Sequence, residues 1–509
     1  MSERLDDLKL RLAQLSDLAH AMALAHWDQQ TMMPTRGGEA RAESLATLTS
    51  ITHEMFVDDE TGRMLEGATA ELNGAGGGPD GDSDDARLIA LVRRQWDKAR
   101  RVPTELAAEL ARAASIGQEA WITARANSDF ESFAPYLEHN FELARRYVDC
   151  HMSSGDYACG YDVLLDDYEP RMPSTEVSDL FAQLKAELVP LIATVTAASP
   201  VDDAPLHVEF PVDDQRRLVR EVVALMGFDD AGWRLDDTVH PFATRIGGGD
   251  VRITTRWDEH FFPMGLYGAM HECGHGLYEA GLPPAQRRSP LGTAESLGLH
   301  ESQSRLWENM VGRGRPFATV LAPRIAALGG DELSPLDADT LYRAVNVVRP
   351  SFIRVEADEA TYALHIILRF ELEQALIDGT LTVRELPEAW NARFQDYFGL
   401  EVTNDADGVL QDVHWSAGLI GYFPTYALGN LIAGQLWERA RAELSGLDAE
   451  IAEGRLGSLR EWLRQHVHQY GSKFTTKELL IREAGGPVSV TPFTNYLKAK
   501  LGDVYGIDL

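Results

Sequence analysis

Apolar residues recur along most of this chain at the spacing of a helix. In "LDDLKLRLAQLSDLAHAMALAHW", Leu5 to Trp27, they return every three or four positions. That spacing collects them on one face of a 3.6-residue period and predicts helices across residues 1–72. The pattern resumes at Ala86 and runs to about residue 200, as in "ELAAELARAASIGQEAWITAR" and "VSDLFAQLKAELVPLIATVTAAS". Between the two stretches lies "NGAGGGPDGDSDD", Asn73 to Asp85, rich in glycine and acid with nothing to bury. It reads as an exposed loop within one domain spanning 1–509, because the same helical style continues after it.

The pattern changes near residue 200. "LHVEF", Leu206 to Phe210, has the character of a strand, and "PVDDQRRLVREVVALMGF" opens with a proline–acid start signal and runs as a helix. "VHPFATRIGGGDVRITTRW" carries β-branched runs on either side of Gly247, Gly248 and Gly249, which predicts a β-hairpin. From Phe262 onward helix dominates again. The expected fold class is mostly α, with a small β-sheet placed just before the stretch that carries the chemistry.

Composition narrows the picture. The formal charge of −32 would repel phosphates and argues against a nucleic-acid partner. No uncharged apolar run of about 18 residues occurs, so no membrane span is expected. The start is charged from residue 3 and lacks the order of a secretory signal, so the cytoplasm is the expected location. The three cysteines, Cys150, Cys159 and Cys273, form no disulfide or zinc framework.

The candidate chemistry lies in "GLYGAMHECGHGLYEAGL", Gly265 to Leu282. His271 and His275 are four apart, so on a helix their side chains share a face with Cβ atoms about 5–6 Å apart. Two imidazoles so placed can bind one zinc ion at about 2.0–2.1 Å each. Glu272, one position on, is turned toward the side of the metal, where it can take a proton from water. Leu266, Met270 and Leu277 keep helical intervals, and Gly281 followed by Pro283 and Pro284 marks the stop. Cys273 is two residues from each histidine and points away from their face, so it reads as core.

A catalytic zinc takes a third protein ligand and keeps one position open. Glu301, in "SLGLHESQSRLWENMVG", is preferred because the 26 residues after His275 leave room for a turn and a returning helix. Glu295 and Glu308 are rivals. Glu295 would lie on the same helix in another direction, and Glu308 about 10 Å further along. His300 reads as a neighbour rather than a ligand.

The chain resembles the thermostable-type metallocarboxypeptidases of peptidase family M32. The resemblance rests on an ordered set: "HWDQQTMMP" at His26–Pro34, "HPF" at His240–Phe242, "DVRITTR" at Asp250–Arg256, "HECGH", "HESQS", "IRVEADE" at Ile353–Glu359, "LQDVHW" at Leu410–Trp415 and "GYFPTY" at Gly421–Tyr426. It implies a helical fold with a long narrow groove, commonly in a homodimer, and a carboxypeptidase of broad specificity. Such an enzyme releases C-terminal residues one at a time from peptides with a free C-terminus. A dipeptide-releasing peptidase or oligopeptidase is the alternative. The resemblance implies Zn2+, or Co2+ in some members, on His271, His275 and Glu301, with Glu272 as base.

A terminal carboxylate suits a bidentate arginine. Arg354 is the first candidate and Arg252 the second, though both sit beside acids and also read as halves of structural ion pairs. His414, Tyr422 and Tyr426 are candidate donors to an oxyanion, and the tyrosines read equally as packing residues. His240 and the hairpin are expected to line the groove. Four residues after Glu301, where some zinc peptidases carry an acid that orients a histidine, this chain has Arg305. The orienting group is therefore expected from elsewhere, with Glu356, Asp358 and Asp412 as candidates.

Overall fold

In a computed structural model of the protein, residues 3–74 and 81–509 are described. They form long helices around one small sheet. The first helix, Glu3–Thr31, packs with Gly38–Val57 and Asp59–Gly74, and Asp84–Arg100 packs on those two. Leu8, Leu12, Leu65, Ala68, Leu88 and Val92 make a small apolar cluster there, separate from the main core. Residues 75–80 of the expected loop lie outside the described residues. Asn73 and Gly74 end one helix and Asp84 and Asp85 begin the next, so the link is shorter than 73–85. No helix among the described residues is long and apolar enough to cross a membrane.

The sheet has three strands, β1 (Trp233–Asp237), β2 (Ala243–Gly247) and β3 (Asp250–Thr255), in the order β1-β3-β2. β2 and β3 form the expected antiparallel hairpin, with Thr244 opposite Arg252. Gly249 turns between them at φ +87°, a conformation that favours glycine. β1 pairs in parallel with β3, Leu235 opposite Ile253.

The strand expected at Leu206–Phe210 does not form. Ala204–Leu206 is a short 3₁₀ turn, and Phe210 donates its N–H to the Glu259 carbonyl at 2.7 Å. Pro205 and Pro211 flank the segment and have no N–H to give a ladder. The place in the sheet goes to β1, whose two aspartates disguise it as a loop. Asp236 is accommodated because Arg234 forks onto it at 2.7 and 3.1 Å.

The sheet lies against the histidine helix, Pro263–Gly281. Thr255 donates its hydroxyl to the Gly265 carbonyl at 3.1 Å. Proline at the first position suits the helix start, where an N–H would go unpaired. The chain then returns as the glutamate helix, Leu297–Arg305. Ser296 caps it, its Oγ accepting from Leu299 N at 3.0 Å. Glu295 therefore precedes this helix instead of lying on it. After Arg305 the helix widens into a π-helical segment, Leu306–Gly312.

A third helix, Pro424–Glu443, is buried nearly all round and closes the far side of the glutamate helix. The glutamate helix touches both neighbours almost backbone to backbone, and two glycines permit this. A Cβ at Gly274 would stand 2.7 Å from Ser304 Cα and 2.8 Å from the Gln303 carbonyl oxygen. A Cβ at Gly429 would stand 2.6 Å from Glu301 Cγ. Gly429→Ala is expected to lower unfolding free energy by about 1–3 kcal/mol, the cost of overpacking a filled core. Gly457→Ala, at an exposed helix start with open space around it, should be neutral or slightly stabilising. Denaturant titration of the two variants checks the difference.

Candidate metal centre

Three ligand atoms converge where the histidine and glutamate helices meet. His271 Nε2 and His275 Nε2 lie 3.5 and 3.3 Å from Glu301 Oε2. One ligand atom from each residue falls within 4.8 Å of the others. A tetrahedral ion bound at about 2.0–2.1 Å sets its ligand atoms about 3.3–3.4 Å apart, so the donor set fits zinc in spacing as well as in type.

Each donor is held from behind. His271 donates its Nδ1–H to Glu308 Oε2 at 2.8 Å, and Glu308 Oε1 accepts from Arg313 Nη1 at 2.6 Å. Glu301 Oε1 accepts from Arg305 Nε at 2.7 Å, and Oε2, which also accepts from Ser304 Oγ at 3.0 Å, faces the histidines. His275 Nδ1 lies 2.5 Å from His300 Nδ1. Glu308, a rival for the third ligand position, thus stands behind His271. The π-helical turns let it reach around the ring, and no residue pattern announces such turns.

The expected sources of orientation, Glu356, Asp358 and Asp412, do not fill that role. Glu356 is exposed, Asp358 accepts backbone N–H groups from Arg349, Ala360 and Thr361, and Asp412 is engaged by two arginines.

The two histidines sit in opposite electrostatic surroundings. Burial pulls the His271 pKa down, but Glu301 and Glu308 outweigh it and raise it to about 10. His275, buried beside His300, is lowered to about 3. Glu272 is buried on the same helix, and burial pushes its carboxyl up to about 7. Cys273 is fully buried, and burial raises its thiol well above the ordinary range. It packs in the core, as its position on the helix predicts.

Comparison with known proteins decides the lineage. The family model described as carboxypeptidase Taq (M32) metallopeptidase matches residues 7–501. The chain belongs to the M32 metallopeptidases. Thermostable carboxypeptidase 1 of Thermus thermophilus is 42% identical over 496 residues, 96% of both chains. Carboxypeptidase 1 of Bacillus subtilis is 36% identical, covering 97% of both. The crystal structure of an M32 carboxypeptidase from Deinococcus radiodurans superposes with a TM-score of 0.94 at 36% identity, over 99% of this chain and 100% of that one. This M32 chain is accordingly a metallocarboxypeptidase, a peptide hydrolase that uses a metal ion.

Within the M32 fold a second polar cluster adjoins the donors. Arg305 lies over the Tyr362 ring, 4.2 Å from its centroid, and the Tyr362 hydroxyl accepts from Arg354 Nη1 at 2.9 Å. Arg354 also donates Nε to Asp412 Oδ1 at 2.9 Å, and Arg369 Nε donates to Asp412 Oδ2 at 2.6 Å. Arg354 lies 5.0 Å from the Tyr426 ring centroid. His414 Nε2 is 3.2 Å from the Tyr426 hydroxyl, and the Tyr422 and Tyr426 rings are 5.4 Å apart. Arg354, His414, Tyr422 and Tyr426 therefore share one neighbourhood, linked to Glu301 through Arg305 and Tyr362.

Arg252 and His240 stand apart from this cluster. Arg252 forks onto Asp250 at 2.8 and 2.9 Å and lies 4.2 Å over Trp27, fastening the hairpin to the first helix. His240 is exposed between β1 and β2. Sequence reasoning gave no role to Tyr362, noted Arg305 only as the residue four after Glu301, and read His300 as a neighbour rather than a ligand. Only the spacing of Arg305 and Glu308 from Glu301 offered a signal.

Asp412 is the counter-charge for two buried arginines. Asp412→Asn is expected to cost about 3–5 kcal/mol, the penalty for leaving buried charge uncompensated. Chemical denaturation at pH 7 measures it, and a loss under 1 kcal/mol would show the network to be dispensable for stability.

Proposed function

We propose that the chain is a zinc-dependent carboxypeptidase of broad specificity that removes C-terminal residues one at a time. The observation that carries this reading is the convergence of His271, His275 and Glu301 beside Glu272, with an arginine-rich cluster adjoining. The two imidazoles and one carboxylate suit zinc, and cobalt is served by the same donors. A metal ion held there supplies a Lewis acid that polarises the scissile carbonyl and makes water more acidic.

The remaining chemistry belongs to the chain. Glu272 accepts a proton from the attacking water and returns it to the leaving amine. Its carboxyl, pushed up to about 7 by burial, suits a group that must both take and give a proton near neutrality. The Tyr422 and Tyr426 hydroxyls and His414 Nε2 supply donors toward the developing oxyanion.

Arg354 holds the substrate's terminal carboxylate. Arg354 and Arg369 share the single carboxylate of Asp412, so the cluster keeps one uncompensated positive charge. His414 adds none, because burial and Arg354 lower its pKa to about 3. An incoming carboxylate completes the balance. His240 and Arg252 belong in this reading to the wall of the groove rather than to the reacting atoms. One domain over 1–509 and a homodimer complete it, as the M32 resemblance implies.

Glu272→Gln tests the base. It is expected to retain zinc and to lose about 10²–10⁴-fold in kcat, the usual contribution of a general base. Near-normal turnover would overturn the role. A peptide ending in an amide tests the anchor. Losing a charge-assisted contact of about 1.5–3 kcal/mol slows its cleavage by roughly ten- to a hundredfold against the free acid. Equal rates would point instead to an oligopeptidase, and release of residue pairs to a dipeptide-releasing enzyme.

A further inference from the structure

The two histidines of the metal centre are supported in different ways. His271 has a carboxylate directly behind it, Glu308 at 2.8 Å. His275 has another histidine: His300 Nδ1 lies 2.5 Å from His275 Nδ1. The two rings are within 29° of coplanar with centroids 4.5 Å apart, so they meet edge to edge across that contact. Two nitrogens at this distance share one proton, and which ring owns it decides what His275 can do.

A neutral imidazole carries one N–H. If His300 owned the shared proton, His275 would carry its own on Nε2, the atom that faces Glu301. That nitrogen would then have no lone pair for a metal. If His275 owns the shared proton on Nδ1, its Nε2 is bare.

The far side of His300 settles the choice. His300 Nε2 lies 3.0 Å from Glu279 Oε1, and a carboxylate only accepts, so the His300 proton sits on Nε2. Glu279 is in turn kept ionised by the His300 N–H it accepts and by Arg245, whose Nε is 3.0 Å from Oε2. Arg245 is itself fixed by donating Nη2 to the Gly292 carbonyl at 2.6 Å. Each member dictates the proton position of the next.

We propose that His300 and Glu279 are positioning residues for the metal centre, an Arg245–Glu279–His300 relay that fixes the tautomer and ring plane of His275 with Nε2 free to bind. The proposal rests on the reading that His275 is a metal ligand. It differs from simple packing because it requires an acceptor toward His275 and a donor toward Glu279. Glutamine at position 300 offers both, through its carbonyl oxygen and its amide nitrogen. Leucine offers neither.

The test is zinc affinity by competition with a chromophoric chelator, together with the visible spectrum of the cobalt-substituted protein. His300→Leu is expected to bind zinc about 10–100-fold more weakly, the usual cost of losing a group that orients a ligand, with a shifted cobalt spectrum. His300→Gln should stay within roughly threefold of the parent affinity and reproduce its spectrum. Glu279→Gln, which keeps the shape and removes the charge, should fall between them. Parent-like affinity in His300→Leu, or equal weakness in the Leu and Gln variants, would overturn the relay. If His300→Leu does not fold by circular dichroism, the comparison of His300→Gln with Glu279→Gln decides. There, parent-like affinity in Glu279→Gln overturns the relay. A parent protein that binds neither zinc nor cobalt would instead overturn the metal-site reading itself.

Discussion

The centre depends on a close approach of three helix backbones. The glutamate helix is held between the histidine helix and Pro424–Glu443 with Gly274 on one side and Gly429 on the other. A side chain at either glycine would force the middle helix outward, and packed cores resist such strain. Glu301 Oε2 would move with it. The 3.3 and 3.5 Å separations from the histidine nitrogens leave no slack for a shift of that size. The spacing of the three candidate donors is therefore set first by missing Cβ atoms.

That close packing places charge where water is scarce. Glu301, Arg305, Glu308 and Arg313 are all buried or nearly so, each facing an opposite charge. Buried pairs of this kind contribute little net stability compared with apolar residues of similar volume. What they contribute here is direction. Arg305 occupies one oxygen of Glu301, and Ser304 Oγ steadies the other where it faces the histidines, so the carboxylate turns one defined oxygen to the centre. Glu308 does the same for the His271 ring. The burial that makes these pairs costly also removes competing water, and fixed dipoles in a dry site act at greater strength.

The sequence made the parts legible but not their connections. The histidine helix and its stop at Gly281 followed from spacing and end signals, and the hairpin from its glycines. Convergence of Glu301 with the histidines followed from the count of residues needed for a returning helix. What stayed hidden depends on nonlocal geometry. The π-helical segment that brings Glu308 behind His271 has no residue signature. β1 carries two aspartates made acceptable by distant partners in the fold as well as by Arg234: Arg234 holds Asp236, and Arg216 and Trp257 hold Asp237. The strand expected at Leu206–Phe210 failed because local β character counts for little between two prolines. Asp412 looked like a partner for a histidine. It is claimed by Arg354 and Arg369, which lie 15 residues apart along the chain and meet only on folding.

The link through Tyr362 joins two requirements of peptide hydrolysis. Charge develops at the scissile carbonyl, while the terminal carboxylate is already charged when it arrives. A single positive focus would bind the carboxylate and be spent. Here the positive charge is divided. One part lies at the donors, where Glu301 and Glu308 raise the His271 pKa, and the other at Arg354, where Asp412 is shared by two guanidiniums. Arg305, stacked on Tyr362, separates them, and the Tyr362 hydroxyl accepts from Arg354. The tyrosine thus touches both guanidiniums, one on its ring face and one at its hydroxyl. An interval fixed by an aromatic ring varies less than one fixed by flexible side chains, since the ring has only two side-chain torsions to lose. On the proposed reading, in which Arg354 takes the terminal carboxylate, the register follows from that group and not from the side chain that lies between, which is the arrangement broad specificity requires.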